Sequence, residues 1–307
     1  MTPITPLTVG LLAALAGSLP SGAPMSRLEG RTEALKGSVI TGQTSPPTGE
    51  SLVKTELLAD VTSVAPGTPF RVLIVFTCAP GWHLYWKNPG DSGVPPSVRF
   101  ELPPGFTVGP LAFPCPTVHV EHGDVTFTHD GTIALVATVS PPTDPTAIPA
   151  SVRIGASLSW MVCKQICVIG TRGHEINVSA SAARGVDPRV KSFLAALPRT
   201  NAELGVTAQL DGTTLVVAAP HAQRESLRFI PAATPGVLYG KPESTIVDGR
   251  SVLRVPLTLQ PQNAIGQAPV AAGAVVVDTK GSPVVFTEIS LPLPSSSAPA
   301  LESRKVH

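Results

Sequence analysis

Cys163-Lys-Gln-Ile-Cys167 is the segment whose residue types and spacing carry chemistry most directly. Val152, Ile154, Ala156, Leu158 and Trp160 alternate with polar neighbours, so a half-buried strand runs into the first cysteine. Continuing the alternation turns Val162 inward and sets Cys163 on the polar face. A loop of Lys164, Gln165 and Ile166 then returns the chain and places Cys167 opposite Cys163. Directly opposed residues of an antiparallel pair have Cα atoms about 4.5–5.5 Å apart, within the roughly 4.4–6.8 Å that a disulfide spans. A bond closing so short a loop gains little from chain entropy, and when exposed it is comparatively reducible. Lys164 is the neighbouring cation that lowers a thiolate pKa if its ammonium approaches. On spacing alone, an inert hairpin staple and a cycling dithiol fit equally well.

The other chemical side chains are less ordered in sequence. Cys78 falls on the inward register of the strand Phe70, Val72, Ile74 and Phe76, and Cys115 lies between Pro114 and Pro116. In an exported chain these two form a second, structural disulfide or stay as buried free thiols. Cys115, His119, His122 and His129, with Glu121, Asp124 and Asp130 between them, offer soft and borderline metal donors. Pro116 and Gly123 oppose the helix that would put His119 and His122 on one face. A polar loop with scattered histidines explains them more simply, and no metal or cofactor is assigned. No catalytic carboxylate pair, phosphate loop or Ser-His-Asp spacing stands out.

The elements that must position the cysteines follow from composition and periodicity. The chain has 307 residues, with 34 prolines and 27 glycines, which excludes a helical bundle. A hydrophobic share of 43% in a chain this long still supports a substantial core. Many short strands with Pro/Gly turns remain. The formal charge of +1, from 22 Lys+Arg against 21 Asp+Glu, gives no nucleic-acid footprint. Residues 1–23 read as a signal peptide, with an apolar run from Leu7 and small residues Ser21 and Ala23, so the chain reads as exported. The uncharged stretch 255–277 holds Gln260, Gln262, Asn263 and Gln267 and is too polar to span a membrane.

Residues 24–50 read as a disordered linker, 51–185 as a first β-sandwich and 186–200 as a short helical connector opening at Asp187-Pro188. Residues 201–293 read as a second sandwich and 294–307 as a disordered tail. Asp130-Gly131, Asp211-Gly212, Asp248-Gly249 and the segment from Asp278 to Gly281 are hairpin signals. The fold expected is all-β, two tandem sandwiches.

Gly81-Trp-His-Leu-Tyr-Trp-Lys-Asn-Pro-Gly-Asp-Ser-Gly93, taken with Trp160-Met-Val-Cys-Lys-Gln-Ile-Cys167, is more specific. Over about residues 50–293 the chain resembles the N-terminal periplasmic (alpha) region of DsbD-like thiol:disulfide interchange proteins, the ScsB branch above all. The resemblance implies immunoglobulin-like sandwiches and a Cys163–Cys167 pair that passes reducing equivalents. It implies a thioredoxin-like electron donor, periplasmic disulfide-bearing substrates and a separate membrane electron-transfer subunit. Cys167 would form the partner-facing mixed disulfide and Cys163 would resolve it. Trp82, Tyr85, Trp86 and Asp91 would shield or tune the pair, along with Lys164; their alternative is core packing and a tight turn. The chain departs from the pattern at Phe127-Thr-His-Asp-Gly131 and at Cys115, and against the family's pattern of added membrane and thioredoxin-like domains the expectation is a free-standing module or one product of a split or truncated system. The expectation is a protein-disulfide reductase component. An exported binding or assembly module with inert disulfides, and a periplasmic copper- or zinc-binding protein, are the competing readings.

Overall fold

The computed structural model describes residues 46–121, 123–179, 185–220, 227–260, 270–278 and 284–293. The expected leader, most of the linker, the tail and His122 lie outside the described residues. A one-turn helix, α1 (Gly49–Leu52), leads into ten strands. These are β1 (Val53–Ala59), β2 (Phe70–Cys78), β3 (His83–Gly90), β4 (Ser97–Glu101), β5 (Thr107–Val108), β6 (Thr117–Glu121), β7 (Asp124–Asp130), β8 (Thr132–Ser140), β9 (Ser151–Cys163) and β10 (Cys167–Ser179). They form two sheets, one in the order β1-β2-β8-β5 and one in the order β10-β9-β3-β7-β6, with β4 also pairing β9.

Alternation explains most of this sandwich. Val72, Ile74 and Phe76 of β2 meet Trp86, Ile154, Trp160 and Leu135 in the core between the sheets. The other face of β2 is also covered. Leu73 and Val75, with Ala134 and Val136 of β8, pack beneath Val190, Phe193 and Leu194 of α2 (Val190–Ala195). A strand buried on both faces reads as a continuous apolar run, which is why residues 72–76 are Val-Leu-Ile-Val-Phe.

Two local expectations change. Asp130-Gly131 is a corner, not a hairpin: β7 and β8 belong to different sheets, and Gly131 turns the chain at φ 66°. The connector helix starts at Val190 instead of beside Asp187. The Asp187 carboxylate accepts the Arg189 backbone N–H at 2.9 Å and also grips the Arg189 guanidinium.

A second helical turn, α3 (Asn201–Leu204), is boxed by Thr200 and Glu203 and closed by Gly205 at φ 62°. The second sandwich follows as β11 (Thr207–Asp211), β12 (Thr214–Ala219), β13 (Leu227–Pro231), β14 (Val237–Tyr239), β15 (Glu243–Val247), β16 (Arg250–Leu259), β17 (Val270–Val277) and β18 (Val285–Pro292). Asp211-Gly212 joins β11 to β12, and Asp248-Gly249 joins β15 to β16, as their dipeptides predict. The third predicted turn, between β17 and β18, falls outside the described residues from 279 to 283.

One sheet runs β11-β12-β16-β14, with β15 also on β16; the other runs β13-β17-β18. Val275 and Val277 of β17 face the core between these sheets. Ala274 and Val276, with Ile230 and Phe286, face the opposite way and join the core cluster of the first sandwich. The expected all-β fold of two immunoglobulin-like sandwiches with a helical connector is what the structure shows. Among the described residues no helix is long and apolar enough to cross a membrane.

Candidate functional site

The site is built at the closed, loop end of the β9–β10 hairpin. Its thirteen-residue strands pair in continuous register from Ser151↔Ser179 to Cys163↔Cys167. Near this end Trp160 faces Gly170, and a Cβ on that glycine would stand 2.5 Å from the indole. The glycine lets the ring lie across β10 and seal the core beneath the cysteines; Phe76 meets the same ring edge-on at 5.9 Å. Residues 164–166 close the loop, with the Lys164 N–H donating to the Ile166 carbonyl at 3.1 Å.

Cys163 and Cys167 are disulfide-bonded, with Cα atoms 4.2 Å apart. Their environments differ. Cys163 is 3% exposed, although the strand alternation sets it on the outer face. The expectation of an exposed Cys163 is therefore corrected. β9 is an inner strand at this point, flanked by Cys167 of β10 and by His83 of β3. Cys167 itself is exposed, and Ile166 and Ile169 beside it are exposed too.

The outer face continues from His83 onto β7 and β6. His83 pairs with Asp130, and Tyr85 with Thr128. The His119 ring stacks on the His83 ring at 5.7 Å, and its Nε2 lies 3.5 Å from an Asp130 carboxylate oxygen. Tyr85 meets His83 edge-on at 5.5 Å. Gly93 makes room for the phenol: at its φ of 100° a Cβ would stand 2.2 Å from the ring. Burial lowers the His83 pKa, the Asp130 carboxylate opposes that shift, and His119 adds to it. Burial raises the Tyr85 pKa.

The proposed shielding residues separate. Tyr85 is on the site's face and next to His83. The Lys164 chain lies along Gly81, where a Cβ would be 3.0 Å from Nζ. Trp82 packs partly buried against the core. Trp86 is on the inner face of β3, fully buried, edge-on to Phe127 at 6.3 Å, and so belongs to the core. The Asp91 carboxylate accepts the Val125 N–H at 2.7 Å. That is five residues along β7 from Asp130, roughly 16 Å, so Asp91 fixes a distant turn.

Of the two alternatives for the other cysteines, the disulfide does not form. Cys78 and Cys115 are free thiols, the alternative that the sequence left open. Cys78 is held at the end of β2 opposite Val53, where burial pushes its pKa up to about 12. Cys115 is half-buried in the loop before β6, its Sγ 3.8 Å from the Pro116 carbonyl oxygen, and burial pushes its pKa up to about 11. Among the described residues no three His, Cys, Asp or Glu side chains converge as a metal site. His119 is on the outer face, whereas His129 points inward and stacks on Phe113. Burial alone lowers the His129 pKa to about 4.

His83 was missed as a site residue by sequence reasoning. The signal was present: in His83-Leu84-Tyr85-Trp86 the buried Leu84 and Trp86 alternate with His83 and Tyr85, so a strand there presents the latter pair on the opposite face.

Residues 50–177, a span that includes the cysteine hairpin, match the family model described as "Thiol:disulfide interchange protein DsbD, N-terminal". The resemblance read from the two motifs is thereby shown. The chain is also similar in fold to the N-terminal periplasmic domain of ScsB from Proteus mirabilis, at 17% identity and a TM-score of 0.52, over 78% of this chain and 94% of that one. The N-terminal domain of Neisseria meningitidis DsbD in the reduced form also matches, at 17% identity and a TM-score of 0.27, over 44% of this chain and 90% of that one. No curated protein matches the chain.

Proposed function

We propose that the protein is a periplasmic thiol–disulfide exchange module that passes reducing equivalents to partner proteins through Cys163 and Cys167. The observation that carries this reading is the asymmetry of the disulfide: one sulfur belongs to an exposed residue, and the other is buried beside a histidine. A donor thiolate can reach Cys167, so the mixed disulfide forms there. Cys163, shielded from bulk thiols, leaves as the thiolate and later resolves the second mixed disulfide. The exposed Ile166 and Ile169 give a partner apolar contact at the reacting sulfur. The donor is a thioredoxin-like domain supplied from a membrane electron-transfer subunit, and the acceptors are disulfide-bearing periplasmic proteins.

Equilibration of the full chain with glutathione buffers tests the assignment. A Cys163–Cys167 potential above about −300 mV is expected, the range of labile disulfides. A Cys163→Ala variant should hold a stable mixed disulfide with a reactive thioredoxin, and Cys167→Ala should hold far less. A pair resistant to reduction in those buffers and inert to thioredoxin would make the hairpin bond a staple and favour an exported binding module.

A further inference from the structure

We infer that His83, paired with Cys163 across β3 and β9 and flanked by Asp130 and His119, is the proton acceptor for Cys163 during resolution of the mixed disulfide. The inference rests on the exchange role proposed for the pair, and it adds a group that neither motif spacing nor the disulfide itself requires.

Geometry carries it. His83 and Cys163 are directly paired across β3 and β9, so their side chains share the outer face with Cβ atoms about 4.5–5.5 Å apart. Cys163 has Cys167 on its other flank and is almost fully buried. A thiol so enclosed cannot rely on bulk water to take its proton, and burial disfavours the free thiolate. The titratable and charged groups that face the imidazole are Asp130 on β7, His119 and Glu121 on β6, Tyr85 on its own strand and Cys163 on β9; the Lys164 side chain lies along Gly81, two residues away. Burial holds the imidazole neutral at neutral pH, the form that accepts a proton.

The step balances as follows. In the reduced protein, Cys167 as thiolate attacks a substrate disulfide; the Cys167–substrate bond forms and one substrate sulfur leaves as thiolate. Cys163 then gives its thiol proton to a neutral imidazole nitrogen of His83 and attacks the Cys167 sulfur. The Cys163–Cys167 bond forms, the Cys167–substrate bond breaks, and the second substrate sulfur leaves as thiolate. The imidazolium returns its proton to that thiolate or to water. The substrate gains two electrons and the cysteine pair loses two.

The test uses the reduced full chain and 5,5′-dithiobis(2-nitrobenzoate), followed by stopped flow between pH 4.5 and 8. Cys167 releases one coloured thiolate on attack and Cys163 releases the second on resolution. Cys78 and Cys115 react slowly in this range because burial raises both their pKa values. In the unaltered protein the resolution rate should rise through an inflection below pH 6.5 and then level. His83→Gln should remove the inflection and slow resolution at pH 7 by roughly 10²-fold, leaving the first release unchanged. Asp130→Asn should move the inflection to lower pH and His119→Gln to higher pH, because the two groups act on His83 in opposite senses. That opposition is a signature that loss of folding cannot imitate. A resolution profile unchanged in His83→Gln, or inflections shifted alike in the other two variants, overturns the role of His83 alone. Absence of a second release from the unaltered protein overturns the exchange role itself.

Discussion

Cys163, at 3% exposure, and the exposed Cys167 belong to one disulfide, and the difference between them comes from strand position more than from residue type. A residue on an inner strand has two flanking neighbours, whereas one on the edge strand β10 has a single neighbour. The same logic governs the histidines, which are scattered in sequence. His119 lies on β6, the edge strand at the far side of the sheet, on the solvent face. His129 is buried against Phe113, and its pKa is lowered to about 4. Its folded pKa lies below the unfolded value near 6.5, so the unfolded chain binds the extra proton between these values. The contribution of neutral His129 to stability is therefore complete above about pH 6.5 and is lost as pH falls toward 4, by about 3 kcal/mol in all. Urea midpoints measured from pH 7 to pH 4 should fall in the unaltered protein, and His129→Leu should flatten that decline.

At the scale of elements, the β9–β10 hairpin depends on one close approach. Gly170 faces Trp160 and also touches Gly49 of α1, where an added Cβ at either glycine would meet atoms within 2.6 Å. Gly170→Ala must push the indole aside, and a loss of about 1–3 kcal/mol is expected. Urea unfolding measures the loss, and a thiol assay should still find the disulfide, since the cysteines lie at the tip of the same hairpin. The tip was legible in the sequence because alternation from Val152 to Trp160 and a three-residue loop determine the register. The burial of Cys163 was not, because periodicity reports the face of a strand and says nothing of which strand lies next to it. Nor was the partnership of His83 with Asp130 and His119, which the pairing of β3 with β7 and of β7 with β6 creates across sequence separations that local patterns do not register. Asp130-Gly131 was misleading for a related reason: the dipeptide specifies a turn, and the turn joins two sheets.

At the scale of the molecule, the two sandwiches share apolar core. Ile230, Ala274, Val276 and Phe286 belong to strands of the second sandwich yet cluster with Phe76, Trp86 and Trp160 of the first. Polar ties frame this junction: Asn88 donates to the Pro231 carbonyl at 2.7 Å, and Lys87 meets Glu288 at 2.6 Å. Asn88 and Lys87 extend the strand that carries His83 and Tyr85, so the second sandwich braces the element that flanks Cys163. Phe286 is 2% exposed, and truncating so large a buried side chain costs about 3–5 kcal/mol. The second sandwich's other buried members of this cluster, Ile230, Ala274 and Val276, are small or aliphatic, so its hold on the junction depends most on this ring. Phe286→Ala should then divide a single thermal transition into two, the second sandwich melting first. Because β18 hangs on β17, whose other face supplies the second core, the loss should fall mainly there. Differential scanning calorimetry resolves the outcome. One undivided transition at a lower midpoint would mean that the polar ties and the connector helix suffice to couple the sandwiches.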